Sequence, residues 1–313
     1  MAGSVPMSNV FSARARAVFS ASQNLTGIAL MLVARLLFTI SDTFTKLASE
    51  TLPGTEVVSV RNAVALPIVA VMAWQLGGLR HLNAVKDRNV LSRSVLDGIG
   101  TLAFVAALPH VMLGQSTVIL LTVPIILVAL SALFFKEDVG WRRWTAIFVG
   151  FAGVLLVGGP LGGTPNAYLL LTQCAAFAWA FRDLFTWRLV GHIPSVTVSL
   201  IATAVVALVG LPGAFAGDWR LFGGTETLYL VVAGSFVAAA NFLYITALRT
   251  GAISVVAPFR YTGAVFAMIS GFIVWREIPD TGGMIGTVLI IGSGLYTFYR
   301  EIELARARGA TRS

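Results

Sequence analysis

Long apolar stretches alternate with short polar segments along almost the whole chain, and each stretch holds close to twenty residues. An α-helix needs about 20 consecutive apolar residues to cross the hydrocarbon core of a bilayer. The stretches also lack the continuous polar face that a surface helix of a soluble protein carries. The predicted spans are residues 25–47, 56–76, 91–109, 113–135, 141–159, 166–189, 195–215, 226–247, 252–275 and 281–299. The pattern therefore predicts an all-α membrane protein with ten transmembrane helices.

The composition supports this fold class. Hydrophobic residues make up 57% of the chain and charged residues only 12%, whereas a soluble domain carries about 25% charged residues. The formal net charge is +8, which in a membrane protein reflects basic cytoplasmic loops more often than nucleic-acid binding. We therefore expect the lipid bilayer and a small-molecule substrate as partners, and no nucleic acid.

The distribution of Lys and Arg predicts the orientation. With the N-terminus in the cytoplasm, fifteen basic residues fall in inner loops and tails, three in outer loops and four within spans. The three outer residues are Lys46, Arg220 and Arg276. Because basic residues concentrate on the cytoplasmic side, both termini are predicted there, in a bacterial inner (plasma) membrane. Residues 1–24 are expected to form a flexible cytoplasmic leader, and residues 301–313 a cytoplasmic tail.

A pattern of residues repeats after about 140 positions. The order acid, Phe, Thr, base, Leu closes the first span at residues 42–47 and returns at residues 183–189. Ala-Leu closes both the third and the eighth span with a similar offset. The two units are residues 25–160 and 165–300. Since five spans is an odd number, the second unit enters the membrane from the opposite side, which is typical of carriers with a midplane substrate site.

These landmarks resemble the EamA unit of the drug/metabolite transporter superfamily. The resemblance lies in Arg61, the Ala-Leu pair, Pro124, Lys136-Glu137, residues 152–154, residues 257–262 and residues 275–280. It implies two inverted five-helix repeats that transport a vitamin, a nucleoside-like or an amino-acid-like solute by alternating access. The sequence Pro-Phe-Arg-Tyr at 258–261 is most similar to members that carry riboflavin or S-adenosylmethionine.

Charged residues within the first span are candidates for the substrate site, because a charge at the bilayer centre costs at least about 2.5–3.5 kcal/mol. Arg35, Thr39 and Asp42 follow helical spacing and share one face of the helix with Lys46. This face either lines the central cavity or packs against a neighbouring helix, with Asp42 paired to Lys46.

Arg260 and Tyr261 form a second candidate group, because they follow Pro258 inside the ninth span. A proline removes a backbone donor, and a membrane helix tolerates this chiefly where it borders protein or water. The Arg260 guanidinium could bind a carboxylate or phosphate, and Tyr261 could stack on a ring. The alternative is a structural ion pair between Arg260 and Asp183 or Asp42.

The remaining candidates are polar or aromatic side chains within spans. The substrate-binding candidates are Arg61, Trp179, Asn241 and Tyr244, and the coupling or gating candidates are Asp42, Asp183, Pro124 and Pro258. The alternatives are that Arg61 reaches the outer headgroups, that Trp179 packs in the core or against lipid, and that Asn241 bonds a neighbouring helix. Small residues at fourfold spacing, such as Gly263, Ala267 and Gly271, favour internal helix packing, with a homodimer contact as the alternative.

Several chemical signatures are missing from the sequence. It has no GxxxxGK[ST] phosphate-binding loop, and its three histidines are scattered without acidic or cysteine neighbours that would suggest a metal site. We therefore expect no cofactor, no metal and no enzymatic activity. The alternatives are a membrane-embedded enzyme acting on lipid intermediates, which would need paired acids or histidines at one face, and a non-transporting regulatory subunit.

Cysteine labelling tests the inverted topology. In a Cys174→Ala background, which serves as the unlabelled control, His110→Cys should react with an impermeant maleimide from outside the cell. Thr250→Cys should react only after the membrane is permeabilised. Labelling of both cysteines from the same side would contradict the inverted repeat.

Overall fold

The computed structural model describes residues 7–135, 141–157, 166–187, 193–221, 223–250 and 253–310, and within these ranges the chain is almost entirely helical, without a β-strand. The helices are α1 (Met7–Ser49), α2 (Gly54–Gln75), α3 (Arg88–Ala107), α4 (Leu113–Leu120), α5 (Val123–Phe135), α6 (Trp141–Val157), α7 (Ala167–Trp187), α8 (Ser195–Val209), α9 (Leu211–Phe215), α10 (Gly224–Thr250), α11 (Ile253–Val256), α12 (Thr262–Trp275) and α13 (Thr281–Ala310). Three 3-10 segments join them, at Gly78–Lys86, Leu108–His110 and Ala257–Tyr261.

The all-α membrane fold class is confirmed. Within the described ranges, eight helical stretches are long and apolar enough to cross a membrane, and Trp144–Val157 is a shorter apolar helix. The helix α7 is long enough but is not one of the eight, because Gln173, Arg182 and Asp183 lower its mean hydropathy. Each of the ten predicted spans coincides with a helix or a run of helices, while the count of ten crossings stays a prediction.

Two spans are interrupted at corresponding places. The predicted span 113–135 consists of α4 and α5, with a break at residues 121–122, two residues before Pro124. The predicted span 252–275 consists of α11, the 3-10 segment with Pro258, and α12. The breaks lie about 140 residues apart, and in transporters interrupted helices at matching positions of two halves mark the binding site.

The helices of the two halves interlock. Helix α1 packs on α10 and α12, and its counterpart α7 packs on α3, α4 and α5. Helix α2 packs on α8, and α6 packs on α13. By the repeat of about 140 residues, α1 corresponds to α7, α3 to α10, and α4 with α5 to α12. The contacts of α1 with α10 and α12 therefore correspond to those of α7 with α3, α4 and α5, and the first helix of each half packs against the other half. The centre of the molecule therefore lies among α1, α3, α7 and α10.

The glycines in the spans have two different roles. Gly153 of α6 faces Gly286 of α13, where an added Cβ at Gly153 would lie 2.8 Å from the Gly286 carbonyl oxygen. This contact is the predicted internal packing. Gly263 and Gly271 instead leave room for charged side chains, those of Arg35 and Glu277 respectively. The residue pair Lys136-Glu137 and residues 188–189 lie outside the described residues.

Candidate functional site

The interior between the two halves holds a group of ionisable side chains, called the polar cluster below. In the order of their electrostatic contacts, its charged members are Arg35, Asp42, Arg61, Asp97, Arg93, Arg182, Asp183 and Arg260, and each interacts with the next. Arg260 and Arg35 also interact, so the sequence closes into a ring. Five arginines face three aspartates, so the ionised cluster carries an excess of two positive charges.

Arg35 and Arg260 lie close enough for their like charges to repel each other. Among the described residues, no carboxylate lies within ion-pair distance of either guanidinium. Gly263 makes the approach possible, because a Cβ there would overlap the Arg35 guanidinium. Tyr244 of α10 interacts with both arginines. This part of the cluster therefore concentrates positive charge beside an aromatic ring.

Aromatic side chains border the same place. The Arg35 guanidinium lies 5.5 Å from the centre of the Phe38 ring, within cation–π range. Phe38 contacts Tyr244 edge to face, with ring centres 6.2 Å apart. Tyr261 is buried, and its hydroxyl lies against Gly294 of α13. Tyr244 thus faces Arg35, whereas Tyr261 joins the cluster only through its interaction with Arg260.

Asp42 lies between two arginines, Arg35 and Arg61. The Arg61 side chain is only 6% exposed, and its Nη1 donates to Thr45 Oγ1 at 3.2 Å. The alternative that Arg61 reaches the outer headgroups is therefore wrong. Thr39 is buried and donates to the Arg35 carbonyl of its own helix at 3.1 Å, so its hydroxyl proton is already used.

Arg182 is fully paired. Its Nη1 lies 2.8 Å from Asp97 Oδ1, and its Nη2 lies 2.8 Å from Asp183 Oδ1. Because Asp97 is on α3 and Arg182 on α7, this clamp joins the two halves. Nearby, Arg93 Nε donates to Thr186 Oγ1 at 2.8 Å, a second link between the same helices.

Asp97 and Arg93 were missed by the sequence analysis. Arg93 was counted as a residue of an inner loop, but it lies inside α3. Asp97 lies within the predicted span 91–109, and a carboxylate in an apolar span needs a partner or a function. That rule alone could have identified Asp97 as a candidate.

Some buried polar atoms have no hydrogen-bond partner in the structure. Among the described residues they include Arg35 Nε, Arg61 Nε, Arg93 Nη1, Trp179 Nε1 and both amide atoms of Gln173. Buried polar groups normally have a hydrogen-bond partner, so these atoms are available to water or a bound solute. Trp179 also contacts Phe104, with ring centres 5.8 Å apart, and lies 5.6 Å from the Arg182 guanidinium carbon. Trp179 packs against the hydrophobic core, as the alternative predicted, and its part in substrate binding stays a prediction.

Asn241 lies away from the polar cluster. Its side chain is exposed, and its Nδ2 donates to the Val237 carbonyl of its own helix at 3.0 Å. It lines a crevice on the outer surface of the helix bundle between α2, α8 and α10. Asn241 thus lines this crevice, whereas Tyr244 interacts with Arg35, and a part of Asn241 in substrate binding stays a prediction.

A second charged group, called the ionic latch below, closes one end of the molecule. Lys46 of α1 forms an ion pair with Glu277, and its Nζ also donates to the Val111 carbonyl at 2.6 Å. Glu277 accepts a hydrogen bond from the Leu113 backbone N–H at 2.8 Å. Lys46 is only 3% exposed, so its charge depends on these partners.

The ionic latch corrects two sequence interpretations. Lys46 was counted in an outer loop and was offered as the partner of Asp42, but α1 continues to Ser49 and Lys46 pairs with Glu277. The ammonium group also lies 4.5 Å from the centre of the Trp275 ring. The latch thus joins α1, the turn before α4 and the end of α12.

The family assignment rests on both halves of the chain. The EamA-like transporter family matches residues 25–159 and again residues 166–299. The chain belongs to the EamA-like transporter family. A riboflavin transporter of Vibrio cholerae is 30% identical to it over 290 residues, which cover 90% of this chain and 96% of that protein.

Other relatives of this EamA-like transporter are named for substrates other than riboflavin. An S-adenosylmethionine uptake transporter of Rickettsia felis is 26% identical over 281 residues, covering 88% of this chain and 94% of that protein. A pseudopaline exporter of Pseudomonas aeruginosa is 25% identical over 268 residues, covering 85% and 93%. A solved crystal structure shares the fold, with a TM-score of 0.58 and 16% identity over 86% of this chain and 94% of the other. The protein is a membrane transporter of a small metabolite.

Neutralising Glu277 tests the ionic latch. Glu277→Gln leaves the buried Lys46 without its counter-charge, and removing one partner of a buried ion pair costs about 3–5 kcal/mol. We expect a clear fall in the melting temperature of the detergent-purified protein. The control is Glu303→Gln, which breaks the more exposed pair with Arg300 on α13 and should change the melting temperature little. Equal, small effects of both substitutions would show that the latch contributes nothing to stability.

Proposed function

We propose that this EamA-like transporter is a secondary carrier that works by alternating access and binds its substrate at Arg35, Arg260 and Tyr244. The observation that carries the proposal is the approach of the like-charged Arg35 and Arg260 guanidinium groups, neither of which forms an ion pair within 4 Å among the described residues. An anionic group placed between them relieves that repulsion and accepts hydrogen bonds from two planar donors. The substrate therefore supplies the missing negative charge.

The surroundings of the two arginines define the substrate class further. Phe38 and Tyr244 present aromatic surface beside the guanidinium groups, and such surfaces suit a ring or an apolar portion of the solute. A small organic metabolite with an anionic group and an apolar or ring-shaped part fits both features. The relatives named for S-adenosylmethionine, riboflavin and pseudopaline favour a polar organic solute as well.

The ionic latch supplies a mechanism for alternating access. Arg35 and Lys46 are eleven residues apart on α1, about 16 Å along the helix. Arg260 precedes α12, and Glu277 follows its end. The two elements that hold the substrate therefore also carry the latch. When α1 and the α12 region close around a solute, the distance between Lys46 and Glu277 changes as well. By the count of basic residues, the latch closes the outer side and both termini lie in the cytoplasm.

Asp42 is the coupling residue in this scheme. Asp183 and Asp97 share the Arg182 guanidinium in close ion pairs. Asp42 interacts with Arg35 and Arg61 without an ion pair within 4 Å to any described residue. It can therefore exchange Arg35 for a proton or for another cation when the substrate arrives. Asp97 joins the two halves through Arg182, and Asp183 is the second partner of the same guanidinium.

The relatives favour transport over the other functions that the sequence left open. Those functions were an enzyme acting on lipid intermediates and a non-transporting regulatory subunit. The named relatives are transporters that match nearly the full length of this chain. We further propose a bacterial inner-membrane location for the carrier.

Substitution of Arg260 tests the substrate site. Arg260→Lys keeps the charge but loses the planar fork, so uptake of S-adenosylmethionine, which carries a carboxylate, into proteoliposomes should fall about tenfold or more. Arg260→Ala should also abolish uptake, yet its melting temperature should be maintained, because the substitution removes the repulsion with Arg35. The matched control is Arg80→Lys, an exposed cation in the 3-10 segment Gly78–Lys86. Normal uptake by Arg260→Lys would remove Arg260 from the site.

Neutralising the two aspartates separates coupling from structure. Asp42→Asn should change the pH dependence of uptake while the protein remains folded, because this carboxylate is not part of a close ion pair. Asp183→Asn should instead lower the melting temperature, because Arg182 loses one of its two partners. Uptake between pH 5 and 8 and thermal unfolding are measured for both variants. An unchanged pH profile in Asp42→Asn would make this residue structural.

A further inference from the structure

The outer surface of the helix bundle contains a narrow crevice between α2, α8 and α10. Its volume is about 220 Å³, and its lining is mostly apolar, with Val69 and Met72 on one wall and Phe242 and Ile245 on another. It is distinct from the polar cluster, since none of the described residues that line it is a member of that cluster. Asn241, Phe242 and Arg249 of its lining are exposed, so the crevice opens at the surface of the molecule.

One end of the crevice is positively charged. Arg249 is exposed near the end of α10, and its Nη2 donates to Ser195 Oγ, the first residue of α8, at 2.7 Å. No carboxylate is among the described residues that line the crevice. The Arg249 charge is therefore open to an external anion, and Ser195 provides a neighbouring hydroxyl.

The dimensions of the crevice match one leaflet. Asn241 and Arg249 both line it and are eight residues apart on α10, which corresponds to about 12 Å. One leaflet of the hydrocarbon core is about 15 Å thick, half of the roughly 30 Å core. A lipid with its phosphate at Arg249 would therefore extend an acyl chain along the apolar walls as far as Asn241.

We propose that this crevice binds one anionic phospholipid from the surrounding bilayer, with its phosphate at Arg249 and Ser195. Basic residues at the membrane surface between transmembrane helices attract anionic headgroups, and the apolar walls accept an acyl chain. A free phosphate would need only the charged end, and a second copy of the chain would have to insert a side chain into a narrow groove. The cation at one end and the apolar depth together fit a lipid.

Native mass spectrometry of the full-length protein in detergent tests this site. The protein is titrated with phosphatidylglycerol or with phosphatidylcholine of the same acyl chains, and the affinity of the first bound lipid is measured. Arg249→Gln should bind phosphatidylglycerol about fivefold more weakly, and Arg249→Lys should restore most of the affinity. Ser199→Phe, which fills the crevice, should weaken both lipids. Arg80→Gln removes one exposed cation outside the crevice lining and should match the unaltered protein.

Four results would overturn the proposal. These are equal affinity of the unaltered protein for the two lipids, equal losses in Arg249→Gln and Arg80→Gln, competition by glycerol phosphate as strong as by the lipid, and a dimer that Ser199→Phe dissociates. The melting temperature of each variant confirms that it is folded. Because lipid binding is measured without any transported solute, its outcome is independent of the substrate site.

Discussion

The cost of holding charges in an apolar membrane governs the interior of this protein. Each charge within the spans must be balanced by another group, by water or by a ligand. Arg182 satisfies this requirement inside the protein, since Asp97 and Asp183 share its guanidinium. Arg35 and Arg260 do not, since they repel each other. The same constraint thus produces a structural clamp on one side of the polar cluster and, on the other, the two arginines that we propose bind an anionic substrate.

The exchange of first helices between the halves explains why these groups meet. Helix α1 packs in the second half and α7 in the first, so a charge on either helix lies at the boundary between the halves. Asp42 and Asp183 occupy equivalent places in the sequence but have different partners in the structure. Asp183 forms a close ion pair with Arg182, whereas Asp42 has no ion pair within 4 Å among the described residues. The corresponding aspartates of the two halves therefore have different electrostatic partners in this conformation.

The ionic latch is formed by the same two helical elements that carry the charged residues of the polar cluster. Lys46 lies on the helix that carries Arg35 and Asp42, and Glu277 follows the helix that begins after Arg260. Gly271 leaves the space that Glu277 occupies, as Gly263 does for Arg35. Two glycines of α12 thus leave space for one carboxylate of the latch and for one arginine of the proposed substrate site. A movement of α12 changes both contacts together.

Much of this protein could be predicted from local sequence. Apolar runs of membrane-spanning length and the repeat near 140 residues define the helices, because lipid allows a spanning helix no unsatisfied backbone group. Arg35, Asp42, Arg61, Arg182, Asp183 and Arg260 could be identified as candidates by the cost of a charge inside an apolar run, a property that needs no knowledge of neighbours.

Only the tertiary structure decided which of these charges meet. Helical periodicity shows that Asp42 and Lys46 share a face, but Glu277, more than two hundred residues away, binds Lys46. The depth of Arg61 in its span allowed an interfacial position, but packing against α1 buried it beside Asp42. Asn241 lines the crevice between α2, α8 and α10, whereas Tyr244, three residues later on the same helix, interacts with Arg35. Periodicity gives the direction of a side chain around its own helix, whereas its partner depends on which other helix packs there.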